Sequence, residues 1–164
     1  MVIFPRAKIN IGLRITGKRP DGFHNIETIF YPVCLCDAIE FIDPELPLEN
    51  DILEVTGILP DKAPANNLVM KAVRKIREIK QIPFLKLHLH KAIPVGAGLG
   101  GGSSDAATLI KSLNRHFNLE ISNEKMKEII DSERESLRIA FSHFMSPLLS
   151  ALQARTARYM HILL

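Results

Sequence analysis

Polar and apolar residues alternate strictly between residues 7 and 15. Ile9, Ile11, Leu13 and Ile15 fall on one face of an extended chain, and Lys8, Asn10, Gly12 and Arg14 on the other. This predicts a half-buried strand with its apolar side inward and its polar side solvated. Residues 2–4 predict a short strand that Pro5 interrupts. Gly17-Lys18-Arg19-Pro20-Asp21-Gly22 is a turn cluster whose Asp-Gly pair signals a hairpin, and Phe23-His24 follow directly on it. Residues 25–33 and 38–42 predict two further strands, with Pro32 marking an edge or a bulge. A Pro- and acid-rich loop (43–51), a short strand (53–55) and another loop (60–67) come next. Near Asn67 the period changes to 3.6: Val69, Ala72, Val73, Ile76 and Ile79 form one stripe, with Lys71, Arg74, Lys75, Arg77 and Lys80 outside it. Residues 84–91 alternate again, Leu85, Leu87 and Leu89 inward and Lys86, His88 and His90 outward. A second helix is predicted over 104–117, buried through Ala106, Ile110, Leu113 and Phe117, with Ser103 or Ser104 as its N-cap. A third starts at Ser122-Asn123-Glu124. Antiparallel-type strands with helices inserted describe an α+β fold rather than regular βαβ winding.

Composition narrows the function classes. A chain of 164 residues with 46% hydrophobic and 24% charged residues can bury a real core. Its net charge of +3 is spread along the sequence, so the clusters that hold nucleic acid are missing and small anionic ligands are favoured. Cys34 and Cys36 are too few for a disulfide framework or a cysteine-based zinc site, which suits a reducing cytoplasm. No apolar run is long enough to span a bilayer. The predicted partner is a small molecule, with neither nucleic acid nor membrane, and the chain is expected as a monomer or weak homodimer. His88-x-His90 has metal-ligand spacing but brings no cysteine or carboxylate with it, so a solvated strand face is the better reading.

The chemistry concentrates in Pro94-Val95-Gly96-Ala97-Gly98-Leu99-Gly100-Gly101-Gly102-Ser103-Ser104-Asp105, where five of twelve residues are glycine. A glycine-rich loop between a strand and a helix start offers backbone N–H groups and the positive end of a helix dipole to an anion. Residues 96–101 match G-x-G-x-x-G in form, but a dinucleotide fold needs an acidic residue ending the next strand, and Glu120 lies between two helices. A Walker A loop needs Gly-Lys before its hydroxyl, and here Gly102 precedes Ser103. A flexible linker would not be flanked tightly by a strand and a helix.

The stretch resembles the phosphate loop of the GHMP kinases, the family of galactokinase, homoserine kinase and mevalonate kinase. Pro5-Arg6-Ala7-Lys8-Ile9-Asn10 and Arg19-Pro20-Asp21-Gly22-Phe23-His24 extend the resemblance, which covers residues 1–130 with three motifs in order. It implies a ribosomal-protein-S5-domain-2-like α+β lobe that carries ATP, followed in the family by a ferredoxin-like second lobe. It also implies that the backbone of Pro94, Gly96, Ala97, Gly98, Leu99, Gly100, Gly101 and Gly102 wraps the triphosphate. Ser103 and Ser104 would meet phosphate at the helix start, with Mg²⁺ expected beside Ser104. Asn67 and Leu68 would lie near the adenine. Lys8 would be the catalytic residue beside the accepting hydroxyl, with Asn10 binding substrate on the same strand face. Phe23 would stack on a cytosine and His24 hydrogen-bond it, so the implied substrate is a cytidyl-linked diphospho sugar alcohol. Asp105 would repel bare phosphate, and a cation between the two is the expected resolution. Rival readings are another small-molecule kinase of the family and a non-catalytic nucleotide-binding domain.

Residues 131–164 depart from the resemblance. The family carries a Gly-Ala/Ser-Asp turn after the glycine-rich helix, whose aspartate is the catalytic base. The chain instead reads Asp131-Ser132-Glu133-Arg134-Glu135-Ser136-Leu137-Arg138-Ile139-Ala140-Phe141. Asp131 has no glycine turn and is not assigned as the base. The expectation is a frameshifted or truncated C-terminus that lacks the second lobe, with nucleotide binding retained and phosphoryl transfer severely reduced.

Overall fold

In the computed structural model, residues 1–18, 24–44, 47–58 and 67–131 are described. The sequence periods translate into strands Val2–Ile3 (β1), Arg6–Lys18 (β2), His24–Cys36 (β3), Ala38–Ile42 (β4), Ile52–Gly57 (β5) and Lys86–Lys91 (β6). Helices run Leu68–Ile79 (α1), Gly101–His116 (α2) and Asn123–Asp131 (α3). A four-stranded sheet has the order β1-β4-β6-β5, and β2 and β3 form a separate antiparallel ribbon. The β1–β4 and β4–β6 pairings are antiparallel, while β5 and β6 are parallel because α1 carries the chain between them. Among the described residues that crossover is the one βαβ unit in a fold otherwise made as the α+β expectation had it.

One face of the sheet is covered by α1 and α2. Ile39, Phe41, Leu85, Leu87 and Leu89 meet Val69, Val73, Ile76, Leu109, Ile110 and Leu113 in a continuous core, and Met126 and Ile129 of α3 join it. Each such fully buried side chain contributes about 1.5–3 kcal/mol. Ile79 and Phe117, read as core from their spacing, are only partly covered, Ile79 as the last residue of α1 and Phe117 as the C-cap of α2. Asn67 is the N-cap of α1, its side chain accepting from Val69 N–H at 2.9 Å. At the other end Arg77 makes a two-pronged pair with Asp51 (2.6 and 2.9 Å), which also accepts from Leu85 N–H at 2.9 Å. The cation sits at the helix C-terminus, where the dipole favours it, and ties that end to the starts of β5 and β6. Among the described residues no helix is long and apolar enough to cross a membrane.

Two expectations change. Ile9, Ile11, Leu13 and Ile15 are all exposed, at 39–62%, and a one-residue register shift between Ile11 and Arg14 breaks the face they were expected to share. Cross-strand pairing sets Ile9 beside Tyr31 and Ile11 beside Ile29 on one side of the ribbon, whereas beyond the shift Ile15 stands beside Ile26 on the other. The polar face of β2 is the one turned toward the glycine-rich loop. Helix α2 also begins three residues early: its N-cap is Gly100 in the left-handed region (φ 71°), with no side-chain cap, so neither Ser103 nor Ser104 caps it. Pro32 pairs with Lys8 beside a register shift, the bulge its ring predicted.

Candidate functional site

Strand β2 delivers Lys8 to the glycine-rich loop through both backbone and side chain. Its N–H donates to Leu99 O at 2.9 Å, and its Nζ donates to Gly98 O at 2.6 Å and to Asn10 Oδ1 at 2.9 Å. Two residues apart on one strand face, Lys8 and Asn10 therefore do converge. Nζ also lies 5.6 Å from the Phe30 ring centroid. Partial burial holds the Lys8 ammonium below its ordinary pKa.

The loop owes its shape to Gly96 (φ 78°), Gly98 (φ 74°) and Gly100 (φ 71°), while Ala97 and Leu99 between them keep negative φ. Where such positive-φ residues alternate with right-handed ones, successive N–H groups turn to one side and form an anion cradle. Gly100 has a second constraint: a Cβ there would meet Lys8 Cε at 3.1 Å and Cγ at 3.4 Å, so the lysine crosses the space glycine leaves free. With Gly98 O and Leu99 O bound to Lys8, these carbonyls face inward and residues 94–98 stay exposed. Beyond them α2 presents its N-terminus, and the start of α1 lies alongside. A Cβ on Gly102 would touch Leu68 Cδ1 at 3.4 Å, so Leu68 borders the start of α2.

Ser103 and Ser104 sit inside the first turns of α2 and are buried. Ser104 Oγ has no hydrogen-bond partner, an orphaned buried hydroxyl in the first turns of α2. Asp105 has its cation, but a protein one: Lys91 Nζ donates to its Oδ2 at 2.9 Å. Lys91 also pairs with Asp37, whose Oδ1 accepts from Ala92 N–H (2.7 Å) and Ile93 N–H (2.8 Å). Burial pushes the Asp105 carboxyl up to about 7 against the pull of Lys91, and neighbouring Asp37 pushes it the same way. Burial works against the Lys91 ammonium, yet Asp105 and Asp37 outweigh it and hold its pKa above the ordinary value. One cation between two carboxylates satisfies the lysine and leaves a carboxylate short.

The sequence reading missed Asp37 and Lys91. Lys91 carries a signal: it continues the inward series Leu85, Leu87, Leu89, and a lysine at a core position needs a buried partner. His88 and His90 both engage Thr56 Oγ1, at 2.9 and 3.0 Å, and among the described residues no group of His, Cys, Asp or Glu is placed to hold a metal ion. His24 opens β3 opposite Lys18, at the far end of the ribbon from Lys8. Phe23, the 19–22 turn and residues 132–164 lie outside the described residues.

Residues 67–145 match the family model for the GHMP kinases N terminal domain. A 4-diphosphocytidyl-2-C-methyl-D-erythritol kinase from Bacteroides fragilis is 48% identical over 128 residues, covering 78% of this chain and 47% of that protein. A kinase of the same name from Shewanella is 37% identical over 127 residues, covering 75% and 43%. The chain thus spans about half the length of the curated relatives it matches. Among solved structures, a 4-(cytidine 5'-diphospho)-2C-methyl-D-erythritol kinase superposes with TM-score 0.68 at 29% identity, over 87% of this chain and 49% of that one. A mevalonate kinase at 16% identity shares the fold, with TM-score 0.62 over 84% and 47%. Residues 67–145 thus correspond to the N-terminal domain of the GHMP kinases, within a chain that shares its fold with the kinases it matches.

Proposed function

We propose that this chain is the ATP-binding half of a kinase that phosphorylates a hydroxyl of 4-diphosphocytidyl-2-C-methyl-D-erythritol, in the non-mevalonate route to isoprenoid precursors. The observation that carries this reading is Lys8 Nζ held between Asn10 Oδ1 and Gly98 O. It sets a desolvated cation where the phosphate cradle meets the face proposed to bind the acceptor. The N–H groups of residues 96–102 hold the triphosphate. Lys8 stabilises the negative charge that develops as the γ-phosphoryl group moves toward the hydroxyl. Asn10 orients the acceptor, Phe23 stacks on the cytosine, and His24 hydrogen-bonds its edge. Asn67 and Leu68 border the adenine.

Magnesium fits the residues present. The unpartnered Ser104 hydroxyl is a hard oxygen donor beside the phosphate-binding end of α2. Bound there, the ion would neutralise phosphate charge, with Ser104 as its protein ligand. No residue of this chain is assigned as the base that takes the hydroxyl proton, so the chain alone is expected to transfer phosphate far more slowly than a full-length relative. The two free cysteines, Cys34 and Cys36, fit a cytoplasmic chain working as a monomer or weak homodimer.

The test compares ATP consumption with the cytidyl substrate for this chain and for the same chain joined to the C-terminal half of the Bacteroides relative. Nucleotide binding in both and turnover in the joined protein alone is expected. Turnover in neither, with binding kept, leaves a non-catalytic nucleotide-binding module. Loss of binding in both overturns the proposal.

A further inference from the structure

Both ends of the glycine-rich loop are anchored on one buried charge cluster. At the entry, Asp37 Oδ1 accepts from the N–H groups of Ala92 and Ile93, immediately ahead of Pro94. At the exit, Asp105 Oδ2 accepts from Lys91 Nζ at 2.9 Å, and Lys91 in turn pairs with Asp37. Contact at the exit is close. A Cβ on Gly101 would lie 2.8 Å from Ile93 Cγ2 and 3.2 Å from Lys91 Nζ. Asp37 N–H donates to Pro5 O at 3.0 Å, which fixes the chain just ahead of Lys8. Both carboxylates are almost wholly buried, with Asp37 at 0% and Asp105 at 1% exposure.

Such a cluster is a poor way to gain stability. Desolvation of buried ions offsets their attraction, and apolar replacements are often as stable or more so. Asp105 Oδ1 even lacks a partner, which adds to its cost. What the cluster does supply is registry: three segments distant in sequence are held at fixed angles and distances around the loop.

We infer that Lys91 and Asp105 are positioning residues, which set the first turn of α2 against the end of β6 so that the N–H groups of the loop converge on a nucleotide phosphate. This rests on the ATP reading above. Its sign opposes simple electrostatics: removing a carboxylate near a phosphate should tighten binding, whereas loss of registry weakens it.

The experiment measures ATP affinity by calorimetry and unfolding by urea for the parent, Asp105→Ala and Asp105→Asn. Alanine frees α2 from Lys91 while leaving the Lys91–Asp37 pair, and it removes an unpartnered buried oxygen, so the fold should persist. Asp105→Ala is expected to lose about tenfold in ATP affinity with its urea midpoint kept or raised. Asn retains an oxygen for Lys91 and is expected to recover the parent affinity, the rescue that separates registry from charge. If alanine does not fold, Asp105→Leu fills the vacated space and keeps the Lys91–Asp37 pair, with the same loss of affinity expected. A folded Asp105→Ala, or Asp105→Leu in its place, binding as tightly as the parent overturns the inference. So does failure of both to fold, which would make the cluster a requirement of the fold itself. A parent chain that binds no ATP would instead defeat the functional reading beneath it.

Discussion

Replacing Asp37 perturbs the anchor of the loop most severely. Its Oδ1 takes two backbone amides and its Oδ2 takes Lys91, with no exposed surface to bring in water. Alanine orphans the Ile93 amide in the interior and the Ala92 amide at its edge, at about 1–3 kcal/mol for a buried donor and less for the half-buried one. It also takes from Lys91 one of its two carboxylates, a fraction of the roughly 3–5 kcal/mol that a fully broken buried pair costs. Together these give about 4–6 kcal/mol, a large share of the stability of about 5–15 kcal/mol typical of a domain. Asp37→Asn keeps an oxygen for the two amides and weakens only the contact with Lys91, so about 2 kcal/mol is expected. With a urea slope of about 2 kcal/mol per molar, the midpoint should fall by about 2–3 M for alanine and about 1 M for asparagine. Far-UV circular dichroism against urea reads both. Equal midpoints for the two variants would refute the role given to the backbone amides, and an alanine variant unfolding with the parent would refute the whole reasoning.

Other consequences follow from single positions. At Gly57 (φ 80°) an added Cβ would run into the Lys91 carbonyl oxygen and come within 3.2 Å of His90 Cε1, so Gly57→Ala should lose more than about 2 kcal/mol, seen as a lower melting temperature. The Asp105 carboxyl, raised by burial from 3.8 to about 7, binds its proton more tightly folded than unfolded. Its contribution to stability is therefore fully present below the ordinary carboxylate range and is lost as pH rises to about 7, flat beyond. The stability difference between the parent and Asp105→Asn should follow that window, and a difference independent of pH from 4 to 7 would contradict it. On the ribbon, Leu13→Lys and Ile15→Lys should leave melting almost unchanged and reduce self-association in sedimentation velocity, because those side chains are 56% and 62% exposed.

The helices and the main sheet were legible because their periods are clean: Val69, Val73 and Ile76 at 3.6, and Leu85, Leu87 and Leu89 at two. The site was legible as far as two-residue spacing reaches, which put Lys8 and Asn10 on one face. Period alone does not say which side of a strand meets a partner. Ile9 to Ile15 therefore read as one core face, although Lys8 and Asn10 are what meets the loop and a register shift after Ile11 turns the strand over. The α2 cap was misplaced because serine is the common cap, whereas here glycine opens the helix so that Lys8 can pass. Asp37 and Lys91 meet across 54 residues. Alternation turns Lys91 inward, but only the packed sheet shows which carboxylates receive it.

Calorimetric titration of the chain with ATP, beside Lys8→Met, bears most directly on the central claim. Lys8 crosses Gly100 and holds the carbonyl of Gly98, so it organises the cradle as well as lending it charge. The account predicts one ATP per chain, at least about tenfold weaker binding in the folded methionine variant, and the greater part of that loss mirrored in inorganic triphosphate. A folded parent chain that binds neither ATP nor triphosphate would contradict it.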